Sequence, residues 1–119
     1  MDKDDLESKQ NIRIFDQVAL RNTVYKYPDP TLWVNGFKAK RVIFGVINDL
    51  DQNVSVQPIG RAGGAMGDLG SATTINSKTE GVVTLNLATY WSPWISVSIK
   101  ATTAPTEGKI TIHAIWEED

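Results

Sequence analysis

"KRVIFGVIN", residues 40–48, decides the fold class. Its apolar residues alternate with a period of two: Val42, Phe44 and Val46 point one way, and Ile43, Gly45 and Ile47 the other. That is the pleat of a strand, not the 3.6-residue period of a helix. With apolar positions on both faces it reads as a central strand buried on both sides. Downstream, "NDLDQN" (48–53) supplies Asn and Asp side chains that close turns by bonding nearby backbone. "NVSVQPIG" (53–60) then resumes the alternation with Val54 and Val56 inward, so a hairpin is expected over 40–60.

The same period recurs outward from this pair. Upstream, "NIRIFDQVAL" (11–20) sets Ile12 and Ile14 on one face, and "NTVYKYP" (22–28) sets Val24 and Lys26 opposite Tyr25 and Tyr27. Pro28 and Pro30 hold "YPDPTLWVNGF" (27–37) extended, as a loop or strand edge. Downstream, "GRAGGAMGDLGS" (60–71) holds five of the nine glycines and reads as an irregular excursion, and "SATTINS" (71–77) as a short edge strand. Three further strands follow, with Val83, Leu85 and Leu87, then Ile95, Val97 and Ile99, then Ile110, Ile112, Ala114 and Trp116 inward. "TTAPTEG" (102–108) turns between the last two. Seven to nine short strands, and no helical segment, predict an all-β chain: a single antiparallel β-sandwich with Greek-key or jelly-roll connections.

Composition sets the bounds of this reading. A length of 119 residues, 41% hydrophobic and 22% charged, suits one domain with one core. The expected organisation is a flexible acidic tail over residues 1–10 and a single β-sandwich domain over 11–119. The net charge of −2 is uneven, because both ends are acidic while residues 11–116 carry ten bases against seven acids, a net of +3. The acidic ends read as solvated tails that discourage edge-to-edge sheet pairing. Zero cysteines exclude disulfides, thiolate metal sites and thiol nucleophiles. No stretch is long and apolar enough to span a bilayer, and "MDKDDLESKQ" lacks the apolar core of a signal peptide, so a soluble protein is expected.

Catalytic and metal chemistry find little purchase. His113 is the sole histidine and faces outward beside Thr111, so a Ser/His/Asp arrangement would depend on one strand residue. "DLDQN" (49–53) copies the opening of a calcium loop, but Val54 stands at the required glycine and Gly60 at the bidentate glutamate. "GRAGGAMGDLG" lacks the Lys-Ser/Thr and the helix of a phosphate loop. "NVS" at Asn53 has the form of a glycosylation acceptor. The bases Lys38, Lys40 and Arg41 beside Trp33 and Phe37, with Arg61 and Lys100 elsewhere, are too scattered for a nucleic-acid groove. The chain is therefore expected to be no enzyme, with no cofactor and no metal, and not to bind nucleic acid.

The aromatics carry the remaining signal. Trp116 continues an inward register and belongs to the core, whereas Trp94 is out of phase with Ile95, Val97 and Ile99 and should face outward. Pro93, with no N–H to donate, should end the ladder just before Trp94. Tyr90, Trp91 and Trp94 then form a rim, joined by Trp33. Such rings stack on sugars or anchor interfaces. Self-association is the first expectation, with carbohydrate binding as the alternative.

"PWISVSIKATTAPTEGKITIHAIWEE" (93–118) resembles the closing hairpin of small β-sandwich modules of phage virion and bacterial surface proteins. "VIFGVINDLDQNVSVQPIG" (42–60) is similar to the Asn-rich hairpin of such modules. The resemblance covers about residues 40–117. It implies a structural, decoration or adhesion role, symmetric assembly as a homo-oligomer or within a larger structure, and a place on a virion or cell surface. It carries over no catalytic residue.

Overall fold

The computed structural model describes residues 10–118. The tail expected over residues 1–10 lies outside these apart from Gln10, whose carbonyl accepts a bond from the Trp116 amide at 3.1 Å. Asp119 lies outside them too. Nine strands and no helix run through the described residues: β1 (Asn11–Val18), β2 (Val34–Asn35), β3 (Ala39–Asn48), β4 (Val54–Ala62), β5 (Ala65–Asp68), β6 (Thr73–Ile75), β7 (Thr79–Leu85), β8 (Trp94–Ala101) and β9 (Ile110–Glu118).

Two antiparallel sheets result, one ordered β1-β9-β3-β7 and the other β2-β8-β4-β5, with β6 also paired to β4. The expected all-β sandwich is the fold. Its core is a single cluster in which Val42, Phe44, Ile110 and Ile112 of the first sheet meet Val54, Val56, Ile95 and Val97 of the second. Burial of such side chains against water is the main driving force, each contributing about 1.5–3 kcal/mol. Trp116 is half-buried against the same cluster, in its expected inward register.

The pairing follows a rule: β1 with β9, β2 with β8, β3 with β7, β4 with β5 and β6. The chain is one long antiparallel ribbon rolled up so that its successive segments fall in alternate sheets, which is jelly-roll connectivity. Two expectations are corrected by it. "NDLDQN" closes no hairpin, since β3 and β4 lie in different sheets, and β8 and β9 are likewise separated. Asn48 makes the first crossing workable. Its buried amide nitrogen faces the carbonyls of Gln52 and Ile75 at 3.1 Å and Asn76 at 3.2 Å, and its oxygen accepts the Leu50 amide at 3.1 Å.

The ribbon's tip is the tight turn at Gly63–Gly64, with Ala62 opposite Ala65. Both glycines have positive φ, +57° and +89°, as a two-residue type I′ hairpin turn demands. The glycine-rich stretch is thus largely strand and hairpin rather than an irregular excursion. Pro58 sits in the inner strand β4 without breaking it. Its carbonyl accepts the Leu69 amide at 2.9 Å, and a strand residue's N–H and C=O point to the same side, so the missing donor falls in the gap between β5 and β6.

β3 is an inner strand as expected, but only one of its faces is buried. Val42, Phe44 and Val46 are in the core, while Ile43 and Ile47 are 36% and 49% exposed on the other side. The strand covered on both faces is β8, where Ser96 and Ser98 are buried opposite Ile95, Val97 and Ile99. The segment before β2 lies against it: Ser96 Oγ donates to the Leu32 carbonyl at 3.1 Å on that face, and Lys26 extends the edge of β8 through an isolated bridge to Ile99. Residues 22–28 form no more strand than that bridge. Glu117 and Glu118 belong to β9 rather than to a tail, and Glu117 approaches Lys40 at 3.7 Å and Arg41 at 3.8 Å.

Candidate functional site: an aromatic rim divided by a sheet

β8 begins at Trp94, directly after Pro93, as its missing donor requires. The Pro93 carbonyl is taken by the Gly36 amide at 2.8 Å, which ties the approach to the β2–β3 turn. Trp94 alternates with the buried Ile95 and so stands on the outer face of its sheet, 40% exposed. Register sets Asn35, Trp94, Arg61 and Met66 in one row across β2, β8, β4 and β5. Cross-strand neighbours in such a row share a face.

Trp33 belongs to this face but is buried, at 8% exposure. The Arg61 guanidinium lies 4.6 Å from the centre of its ring and bonds the Pro30 carbonyl at 3.3 Å, so cation–π attraction and a backbone acceptor hold the arginine as a lid. Among the described residues the Trp33 indole N–H has no partner. Trp33 is a packing residue here and is not displayed at the rim.

Trp91 stands apart from Trp94. It lines a shallow cleft of about 280 Å³ with Gly60, Ala62, Ala65 and Gly67, the side of the β4–β5 hairpin away from Arg61. Its indole N–H donates to the Gly36 carbonyl at 2.9 Å, and Phe37 meets it edge-on at 5.1 Å between ring centres. The ring is fixed, yet 46% exposed. Tyr90 is elsewhere again, beside Gly70 and Leu69 in a smaller recess, with its amide on the Asn86 carbonyl at 2.8 Å. The four expected rim residues therefore occupy three surroundings. Phe37 and Met66 add to the exposed apolar surface here; Met66 was not singled out from sequence, and Phe37 was weighed only beside the basic cluster. The signal for Phe37 was its place at the tip of an Asn-Gly turn, where an apolar ring has no core to reach.

The other candidates are accounted for by local bonds. His113 stands on the outer face of the first sheet with Asn11 Oδ1 3.0 Å from Nδ1 and Arg13 Nε donating to Nε2 at 3.3 Å. Asp51 accepts from the Thr106 hydroxyl, from the Thr106 amide at 2.9 Å and from the Glu107 amide at 3.4 Å. These donors, the hydroxyl first, hold its carboxyl below the ordinary aspartate range. Asp29 is lowered similarly by the amide and then the hydroxyl of Thr31. Asn53 accepts the Ser77 amide at 2.8 Å. Among the described residues no group of three or more His, Cys, Asp or Glu is placed to hold a metal ion, and no helix is long and apolar enough to cross a membrane.

Compared with known proteins, the chain matches no family model, no curated protein and no solved structure.

Proposed function

We propose that this chain is a non-catalytic assembly module, of the virion or surface type, that self-associates through the Trp91 rim. One observation carries the reading: a half-exposed tryptophan is pinned, edge-on to Phe37, beside a shallow cleft floored by small residues. Its indole N–H is already bonded to Gly36. Gly60, Ala62, Ala65 and Gly67 form the floor, Met66 and Leu69 add apolar wall, and the polar side chains are Asp68 and Ser92, the latter donating to the Arg61 carbonyl at 3.3 Å. A sugar needs several hydrogen-bond partners around the stacking ring, and this cleft offers the side chains of Asp68 and Ser92 alone, whereas an apolar side chain of another copy needs only such a floor. Burying the ring would contribute about 1.5–3 kcal/mol. Jelly rolls serve capsid and lectin domains alike, so the site and not the fold favours assembly.

Carbohydrate binding is the second reading, favoured by the row in which Trp94 stands between Asn35 and Arg61. Light scattering on the wild type beside Trp91→Ala and Trp94→Ala separates the two. Assembly lost in Trp91→Ala and kept in Trp94→Ala is the expected result. Glycan binding abolished by Trp94→Ala, with a monomeric wild type, would replace assembly with the second reading.

A further inference from the structure

Among the described residues nothing requires a glycine at position 45. Its φ is not positive, and a Cβ built on it meets no atom within 4 Å. Gly81, in contrast, would drive its Cβ to 2.7 Å from Ile75. Glycine inside a strand weakens it, and commonly marks the close approach of something else. Among the described glycines only Gly67 shares this freedom, and Gly67 floors the cleft beside Trp91.

Gly45 lies at the middle of a sheet face that the described residues leave uncovered. Register places Val82 and His113 on either side of it, and Ile43 and Ile47 precede and follow it on the same face of β3. Val82 is 61% exposed. An open trough of about 590 Å³ passes over Gly45, with Ile47, Val82 and Ile115 on its walls and Asn11, Arg13, Glu80 and His113 around them. Ile43, Ile47 and Val82, all exposed on this one face, form the kind of apolar patch that marks an interaction site.

We infer that this face pairs with the same face of a second copy, around a twofold axis running across the strands between Ile43 and Gly45. An isologous contact requires each surface to carry both the knob and the hole. Ile43 and Gly45 are two residues apart on one strand, so the half-turn sets Ile43 of each copy over Gly45 of the other. The same rotation brings Arg41 of one copy over Ile47 of the other, beside Glu80, which register places opposite Ile47. Arg41 pairs only loosely with Glu117 within its own chain, at 3.8 Å, with 72% of its side chain exposed. Both charges of the new pair are thus presented by one face, which is the complementarity a second copy needs.

The area sets the strength. Four strands about 4.8 Å apart, paired over about six residues each, present a face of about 400 Å². A pair of copies buries about 800 Å², below the roughly 1,200–2,000 Å² of stable complexes. The contact is weak and reversible, and acts where copies are already held close. It extends the assembly reading, but on a separate surface that is tested separately.

The test is amide NMR of the full chain between about 0.05 and about 1 mM. In the wild type, Gly45, Val82 and Glu80 resonances should shift with concentration. Gly45→Val fills the trough and should weaken the pairing by about tenfold or more, with a melting temperature equal to or above wild type because the Cβ has open space. Glu80→Arg should weaken it as well, and Glu80→Arg with Arg41→Glu should restore it in part, which only a partner carrying both groups can do. Persistence of these shifts in Trp91→Ala supports this face independently of the rim. Wild-type shifts confined to Phe37, Met66 and Trp91, equal self-association in Gly45→Val, or no shifts at all would overturn the inference. The first of those outcomes would leave the rim reading standing.

Discussion

Asn48 joins parts of the chain that no turn brings together. Its amide nitrogen carries two hydrogens for three carbonyls, so one hydrogen is shared, and its oxygen serves Leu50. Asn48→Ala strips partners from buried backbone groups, and a loss of about 2–3 kcal/mol in urea unfolding, with an unchanged slope, is expected. Asp51 acts by charge. Its folded-state pKa is lowered, so its contribution is present above the unfolded aspartate value and is lost as pH falls through the folded one. The stability gap between wild type and Asp51→Asn should be widest near neutral pH and should close as pH drops below the ordinary aspartate range, as denaturation series across pH would show. Both residues were legible as turn formers. Their partners, 27 and 55 positions away, were not, because an Asn or Asp that bonds its neighbour and one that bonds a distant strand are the same letter. Tryptophan has the same ambiguity: Trp94 betrayed its exposure by its phase, whereas Trp33 is buried by Arg61, a residue of another strand.

Strands were readable because alternation is written into each of them, but partners were not. A turn rich in Asn and Asp closes a hairpin or carries the chain to the opposite sheet with the same composition, and only the position of the facing strands decides between them. The β4–β5 hairpin shows a different gap, since its glycines and alanines lack the alternation by which other strands announce themselves. All four residues of β5 are exposed. Its hydrogen bonds should open locally, and hydrogen exchange at β5 should be far faster than at β3 or β8. Gly64→Ala places a Cβ at positive φ, a penalty of about 1–2 kcal/mol. That substitution should speed exchange in β5 while leaving β8 nearly unchanged, which marks the hairpin as a separately opening unit.

At the scale of the whole molecule, the inferred contact face and the aromatic rim lie on different parts of the sandwich. A module with two weak contact surfaces can join a lattice in two directions, where one surface would stop at a pair. The rolled ribbon adds a mechanical consequence. Because β1 lies beside β9, with Asn11 opposite Ile115, the two ends of the described chain leave the fold as neighbours. Tension applied between them peels one strand from the other a rung at a time, so each hydrogen-bonded pair meets the full load alone. Lys38 and Lys109, just outside opposite ends of the β3–β9 ladder, would instead load that ladder in shear, with all its rungs resisting together. Single-molecule pulling should therefore unfold the domain at lower force through handles at Asn11 and Glu118 than through handles at Lys38 and Lys109. A domain wired in this way is a poor link in a chain under tension, and any load it bears must enter through its flanks.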